Sequence, residues 1–502
     1  MKKSGLKGVI FASLLVTNPF MIVGTGVTVC YNNLSVINCP SVPSDPFYGQ
    51  NQGLSLSYKN NSDGTITDLN TGLMWQQARG VKMSWDSCFI MASQCRLGGY
   101  SDWRVPTIKE LYSLINFNGK SGAAAAACIP YIDTSYFGWA AGNVSLGERV
   151  IDGQDYSATK YKGLTMAGDS TIFGVNFIDG RIKGYPEYVP GTGSTVRQKM
   201  YIRFVRGNPI YGINSFADNG DSTITDSATG LMWAKNDSRS GMDWQTALAW
   251  VQSKNTSNYL GYSDWRLPTA KELQSIVDYT RCKSFTNSGA IDSVFNISTI
   301  TDEGGNLNWP FFWANTTHLD NNGAVYVAFG EALGWMQSPP SAAYLTLLDV
   351  HGAGAQRSDP KSGSYTSYFL GYDKSGNPVY GRGPQGDVIR INNYVRPVRT
   401  ISVSTGLNNS GSLKSFSYGL NQNYPNPFNP NTIISFSIPR ASHVEINIYD
   451  SMGRVVSRLL SQDKNAGVYS TTWNASGFSS GVYYCRLTAD GFTETKKLVV
   501  LK

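Results

Sequence analysis

The feature that most constrains this chain is a stretch that occurs twice. Gly99-Tyr-Ser-Asp-Trp-Arg-Val-Pro-Thr-Ile-Lys-Glu-Leu111 returns as Gly261-Tyr-Ser-Asp-Trp-Arg-Leu-Pro-Thr-Ala-Lys-Glu-Leu273. Near-identity over that length implies an internal duplication, so the fold problem concerns one domain used twice. Thr107 with Glu110, and Thr269 with Glu272, have the spacing of a capping box, in which hydroxyl and carboxylate satisfy each other's backbone N–H groups. Behind each box Leu111, Leu114 and Ile115, or Leu273, Ile276 and Val277, fall at helical spacing and predict an amphipathic helix with one buried stripe. Trp103 and Trp265 are expected in the core. Arg104 and Arg266 are expected to pair with the neighbouring Asp or a carbonyl.

A second shared block precedes the helices: Asn61-Ser-Asp-Gly-Thr-Ile-Thr-Asp68 through Gly72-Leu-Met-Trp75, and Asn219-Gly-Asp-Ser-Thr-Ile-Thr-Asp226 through Gly230-Leu-Met-Trp233. A calcium loop fails on spacing, since Thr229 stands where a bidentate Glu is required counting from Asp218. Two short strands joined by Asn/Asp/Gly turns fit instead. Ser84 and Asp243 then read as N-caps of a helix with Trp85, Cys88, Phe89 and Ala92, or Trp244, Ala247, Leu248 and Val251, on one face. Each copy closes on a strand, residues 201–206 and 394–399. Arg203 and Arg206, like Arg396 and Arg399, point to opposite faces there, and one of each pair is expected in a structural ion pair.

At 502 residues the chain has room for roughly three domains. Charged residues make up only 15%, below the usual share of about 25%, while Gly and Tyr are abundant; that balance suits an extracellular, loop-rich protein. The net charge of +7 is spread without a Lys/Arg run, which argues against nucleic-acid binding. Lys2, Lys3 and Lys7 followed by an apolar run and small residues read as an export signal over 1–26, with a leader over 27–57. Asn18 and Pro19 interrupt the run, so no permanent spanning helix is expected. Of seven cysteines, Cys30 and Cys39 are expected to close a small loop. Cys88 and Cys95 on one helix would lie about 10 Å apart, beyond bridging distance, which makes Cys128 the better partner for one of them. Cys282 and Cys485 have no evident mate. With no C-x-x-C pair or Cys/His cluster, no zinc site or cofactor is expected.

Residues 401–418 are Ser/Gly/Asn-rich and read as a flexible linker. From 419 to 502 the pattern changes to period-two alternation (Ile434, Phe436, Ile438; Val444, Ile446, Ile448), and about seven short strands predict a small β-sandwich. The motifs Tyr424-Pro-Asn-Pro-Phe428, Asp450-Ser-Met-Gly-Arg454, Ala466-Gly467 with Trp473, and Ser480-Gly481 closely resemble the C-terminal sorting domain of type IX secretion. The resemblance implies that Tyr424, Pro425, Asn426, Pro427, Phe428, Asp450, Gly453, Arg454, Gly467 and Gly481 carry the sorting motif, that the secretion machinery is a partner, and that the protein ends outside the cell or on its surface.

The two repeats, 58–207 and 214–400, resemble the C-terminal domain of a collagen-like adhesin (the Lcl C-terminal type) in the Asp-Gly-Thr-x-Thr-Asp to Gly-Leu-Met-Trp block, the Gly-Tyr-Ser-Asp-Trp-Arg-x-Pro stretch and the closing Tyr-x-Arg-x-Val-Arg strand. This implies an α+β chain: two tandem C-type-lectin-like domains plus a C-terminal all-β immunoglobulin-like sandwich. Sulfated polysaccharide is the ligand of the name-giving member. Many members carry Cys inside the closing strand, where this chain has Phe204 and Pro397.

The expected function is a secreted or surface binding or adhesion protein for a polysaccharide or other surface ligand, with tandem copies able to give avidity. A formylglycine-generating-type oxidase, or a ligand-free envelope component, are the alternatives; the oxidase needs a cysteine pair, and the second copy has only Cys282. The candidate ligand site is the insertion of the second copy, Asp349, His351, Gln356, Arg357 and Asp359. Gly352 and Gly354 free the backbone there and polar side chains concentrate between apolar strands. The calcium-dependent sugar motifs of lectin-like folds are absent, so no metal is expected.

Overall fold

The computed structural model describes residues 22–32, 35–41, 45–122, 124–166, 168–318, 322–401, 418–420, 422–423, 426–438, 440, 442–464 and 467–501. The apolar run of the export signal up to residue 21, the linker residues 402–417, and Tyr424 and Pro425 of the sorting motif lie outside them. With 12% helix and 37% strand, the protein is mostly β, as an α+β chain of short helices should be. It divides into two units, 1–401 and 402–502.

In the first unit each repeat builds the same four-stranded antiparallel sheet. Tyr58–Asn60, Thr65–Asp68 and Leu73–Gln76 form a meander that the closing strand Val205–Gly207 completes, and Phe216–Asp218, Thr223–Asp226, Leu231–Ala234 and Val398–Thr400 repeat it. The turns are local chemistry. Asp63 accepts from the N–H and hydroxyl of Thr65 at 3.0 and 2.6 Å, and Asp221 does the same for Thr223 at 3.0 and 2.5 Å, an Asx arrangement that folds the strand back without a metal.

The helices follow at Trp85–Gln94 and Trp244–Thr256; Asp243 caps the second through Thr246 N at 2.7 Å, whereas the Ser84 side chain makes no cap bond. Ile108–Ser113 and Ala270–Ser275 start on complete capping boxes. The boxes hold more than the backbone. Arg266 grips Glu272 with two bonds of 2.7 Å, and Arg104 grips Glu110 at 2.6 and 2.5 Å. Of the two expected partners the Asp is corrected to the box Glu, because Asp102 and Asp264 are taken by Arg206 and Arg399 from the closing strands, each at 2.6 Å, while the expected carbonyl is present as well, Gly207 O for Arg104 at 3.3 Å and Leu267 O for Arg266 at 3.4 Å. The other member of each closing pair is buried: Arg203 donates to the carbonyls of Gln76, Gln77 and Gly138, and Arg396 to those of Ala234, Lys235 and Asn296. Trp103 and Trp265 are core residues, donating their indole N–H to Leu97 O and Tyr259 O.

The capped helices do not present a single buried stripe. Every residue of Ala270–Ser275 is buried, and so are all but Lys109 of Ile108–Ser113, because the two helices pack on each other as well as on their sheets. Lys109 Nζ donates to Ser275 O at 2.6 Å and Lys271 Nζ to Ser113 O at 2.8 Å. Each helix thus receives on its last turn, where the dipole favours a cation, the lysine of the other.

A six-stranded antiparallel sheet also joins the repeats. Its order is Phe311–His318, Gly323–Ala328, Gln356–Pro360, Arg181–Pro186, Thr171–Asn176, Gln154–Lys160. The first three strands come from the second repeat and the last three from the first; the seam is the pair Gln356 and Ile182. One shared core runs from Tyr58 through Leu111, Phe173 and Ile182 to Leu273, Val325 and Val398. The tract 356–360, expected as part of a surface insertion, is a buried central strand.

Cys30 and Cys39 form the expected disulfide. Cys128 is a free thiol, as are Cys88 and Cys95, so the proposed pairing with Cys128 is corrected; its Sγ lies against the backbone of Gly122 and Ala124 instead.

The second unit has seven strands among its described residues: Gly419–Leu420, Asn431–Ile438 and Gly467–Asn474 in one sheet, Val455–Lys464, Ser442–Tyr449, Gly481–Ala489 and Phe492–Val500 in the other. The alternating residues Ile434, Phe436, Ile438, Val444, Ile446 and Ile448 meet in one core around Trp473. Phe428 packs on Trp473, Asn426 accepts from Val499 N at 2.8 Å, and Pro427 lies between them. Asp450 accepts from the N–H groups of Met452 and Arg454 around Gly453, whose φ is +76°. Gly467 and Gly481 open their strands.

Two outcomes follow for the first unit. Arg266→Met should cost about 3–5 kcal/mol in chemical denaturation, since it strands a buried Glu272; Arg104→Met should cost less, because 34% of that side chain is already in water. Burial lowers Lys271 to about 7, so between roughly pH 7 and the ordinary lysine value near 10.4 the unfolded chain binds the extra proton and stability rises with pH. That rise should be smaller in Lys271→Met, measured by denaturation at pH 7 and pH 10.

Candidate functional site

The Asp179-Gly180 turn reverses the chain between Thr171–Asn176 and Arg181–Pro186, with Gly180 at φ +64°. Alternation along the second strand buries Ile182 in the shared core and turns Arg181 and Lys183 to the other face. Across the seam Gln356 lies opposite Ile182, so Arg357 faces the same way as Arg181 and Lys183. Beneath these three side chains is a cavity of about 880 Å³. The first repeat contributes Lys82, Arg149, Asp179, Arg181, Lys183 and Arg197 to its wall, and the second contributes His351, Arg357, Arg382 and Asp387.

Eight basic and four acidic side chains line the cavity, so it is a positive concavity with low-dielectric walls, the arrangement that concentrates anions. Asp387 pairs with Arg357 and, at 3.0 Å, with His351 Nε2. Asp179 pairs with Lys183 and, at 3.3 Å, with Arg181. Burial opposes ionisation of Asp179, but the charges of Lys183 and Arg181 outweigh it and hold the carboxyl at about 2. Burial brings Lys183 down to about 8 and Arg357 to about 10, both charged at neutral pH. His351 is pushed well below its ordinary value by burial and by the Arg357 and Lys183 charges, and stays neutral.

Five buried polar atoms of the lining residues have no partner: Arg357 Nη1, Arg181 Nε, His351 Nδ1, Asp179 Oδ1 and the Tyr185 hydroxyl. A neutral His351 that donates from Nε2 to Asp387 leaves a lone pair on Nδ1. The cavity therefore offers two cationic donors and two acceptors, which suits a ligand bearing both an anionic oxygen group and hydroxyls. A smaller cavity of about 420 Å³, between Gln76 and Phe137 of the first repeat, is lined by uncharged residues alone.

Of the five residues expected at the ligand site, two reach this cavity. His351 and Arg357 line it. Gln356 lies on the core face of the strand, fully buried, donating to Arg357 O. Asp349 accepts from Tyr161 Oη and Gly352 N, both at 2.8 Å, and burial lifts it to about 7. Asp359, lifted to about 6 by burial, accepts from Arg390 N and Asn393 Nδ2. These three hold backbone, and the expectation of a polar surface loop is corrected accordingly. Missed altogether were Asp179, Arg181 and Lys183; the Asp-Gly turn followed by charge, apolar, charge is a hairpin signal that could have placed them.

Comparison with known families gives two matches. The Lcl C-terminal domain model matches residues 64–206 and 222–347, and the secretion system C-terminal sorting domain model matches residues 422–501. No curated protein matches the chain. The second unit is thus a type IX sorting tail, which marks the protein for export and places it at the cell surface or outside the cell. Among the described residues no helix is long and apolar enough to cross a membrane. With its two copies covering more than half of the sequence and sharing one core, the chain belongs to the Lcl C-terminal domain family.

Proposed function

We propose that this chain is a secreted or cell-surface binding protein of adhesin type, and that it holds an acidic polysaccharide by seating one anionic sugar in the cavity between its repeats. The observation that carries the reading is the set of unpartnered buried atoms, Arg357 Nη1 and Arg181 Nε beside His351 Nδ1, in a wall with excess positive charge. Orphaned buried donors cost stability unless a ligand satisfies them. The lectin-like reading of the repeats belongs to this proposal and has support in their plan: in each, the closing strand returns beside the Gly-Leu-Met-Trp strand, leaving a long intervening segment free to vary. The immunoglobulin-like reading of the tail rests on its two sheets around one core. Binding is favoured over turnover because all four carboxylates of the cavity are tied in ion pairs, and Cys282 is buried away from it.

The full-length protein should be retained on immobilised dextran sulfate at low salt and released as salt rises, with plain dextran not retaining it. Arg357→Gln should weaken the affinity about tenfold, the weight of one charge-assisted contact; unchanged affinity in the folded variant would sink the cavity as the site. A chelator should change nothing, since cations line the wall.

A pH dependence follows from Lys183. Its ammonium adds to the positive excess up to about pH 8 and is lost above, so affinity for the sulfated polymer should fall between pH 7 and 9.5, and fall less in Lys183→Met. Binding measured at fixed ionic strength checks this.

A further inference from the structure

The second repeat carries a hairpin, Phe369–Tyr372 with Pro378–Tyr380, preceded by the turn Tyr365–Tyr368. Its aromatic rings are in water: Tyr365 and Phe369 are each 52% exposed and Tyr372 58%. They are nonetheless assembled. Tyr365 meets Tyr380 edge to face at 5.4 Å, Phe369 meets Tyr380 at 6.1 Å, and Phe369 meets Tyr372 at 5.3 Å. In a regular strand Phe369 and Tyr372, three apart, would point to opposite faces. The register slips between Phe369 and Gly371, and this bulge swings both rings to one side. Burial does not explain the arrangement, since Tyr365, Phe369 and Tyr372 remain exposed and Tyr380 is only partly covered. Exposed apolar clusters of this kind mark recognition surfaces.

The hairpin adjoins the cavity. Gly381 N donates to Tyr368 O at 2.8 Å, Leu370 lies against Gly386, and the chain running on from Tyr380 supplies Arg382, Gly383, Pro384, Gln385 and Asp387 to the wall. Tyr380 and Arg382 are two residues apart, so about 7 Å of chain separates them. No ionisable group other than tyrosine hydroxyls belongs to the ring cluster. The rings stand edge to face, so each exposed ring offers its own face of aromatic carbon, with a phenol group at the edge of each tyrosine, and such a face fits the C–H face and hydroxyl rim of one sugar ring.

We propose that Tyr365, Phe369, Tyr372 and Tyr380 form a stacking platform for the sugar rings that flank the anionic sugar held in the cavity, so that the site recognises a polymer and not a free anion. The proposal rests on the acidic-polysaccharide reading above. The test measures affinity of the full-length protein for two probes, dextran sulfate and inorganic sulfate, in the wild type, in Tyr365→Ala/Tyr372→Ala and in Arg357→Gln. Both tyrosines are exposed, so the double variant should keep its denaturation midpoint. It is expected to lose about fivefold or more in affinity for dextran sulfate, the weight of one or two aromatic contacts, with sulfate affinity unchanged; Arg357→Gln should weaken both. Unchanged polymer affinity in the tyrosine variant, with Arg357→Gln still weakening both, removes the platform and leaves the cavity reading standing. If Arg357→Gln has no effect on either probe, the cavity reading fails, and with it the link between platform and cavity. A concentration-dependent dimer in sedimentation that the tyrosine variant abolishes would make the hairpin a contact between copies and overturn the proposal.

Discussion

The two repeats of the first unit are tied helix to helix by two hydrogen bonds related by the duplication, Lys109 to Ser275 O and Lys271 to Ser113 O. Residue i of one copy binds residue j of the other and the reverse, which is the geometry of a two-fold interface. Here the two partners belong to one chain. A bond from a charged donor contributes about 1.5–3 kcal/mol, and burying an ammonium costs enough to pull Lys271 down to about 7. The contact survives because each lysine meets carbonyls that a helix end leaves unsatisfied. It holds together the two repeats whose strands meet at Gln356 and Ile182, the pairing that puts Arg181 and Arg357 on one face.

The sequence was most legible where the chemistry is local. The capping boxes, the Asx turns of the Asp-Gly-Thr block, the buried Trp265, the Cys30–Cys39 loop and the alternating strands of the tail all depend on residues a few positions apart, and all appear as read. What could not be read was what the copies do to each other. Ala270–Ser275 has a pattern that allows one apolar stripe, yet Lys271 and Gln274 are buried as well, because the second copy supplies their partners. Gln356–Pro360 contains Gln, Arg, Ser and Asp and looks like a loop by composition. As a central strand it finds partners for Arg357 and Asp359 in Asp387, Arg390 and Asn393, distant in sequence, while Arg357 Nη1 and Gln356 Oε1 stay unpaired.

The same distinction explains the candidate site. His351 and Arg357 could be picked out as polar residues near flexible glycines, yet they line the cavity from a buried strand and its approach, not from a surface loop. Their counterparts Asp179, Arg181 and Lys183 sit in the other repeat, so no reading of one copy at a time could assemble the cavity. The chain's +7 charge, unremarkable when spread over 502 residues, is locally concentrated there by folding.

The pairing of Gln356 with Ile182 has a kinetic side. Contacts between residues so far apart close late, since the loop entropy is spent before the contact rewards it. Until residues 356–360 arrive, Arg181–Pro186 is an open edge with unpaired N–H and C=O groups, the kind of edge that recruits strands from other chains. Arg181 and Lys183, which later wall the cavity, are on that edge from the start. Their like charges would set one nascent chain against the next, so the residues that line the cavity would also discourage pairing at the open edge.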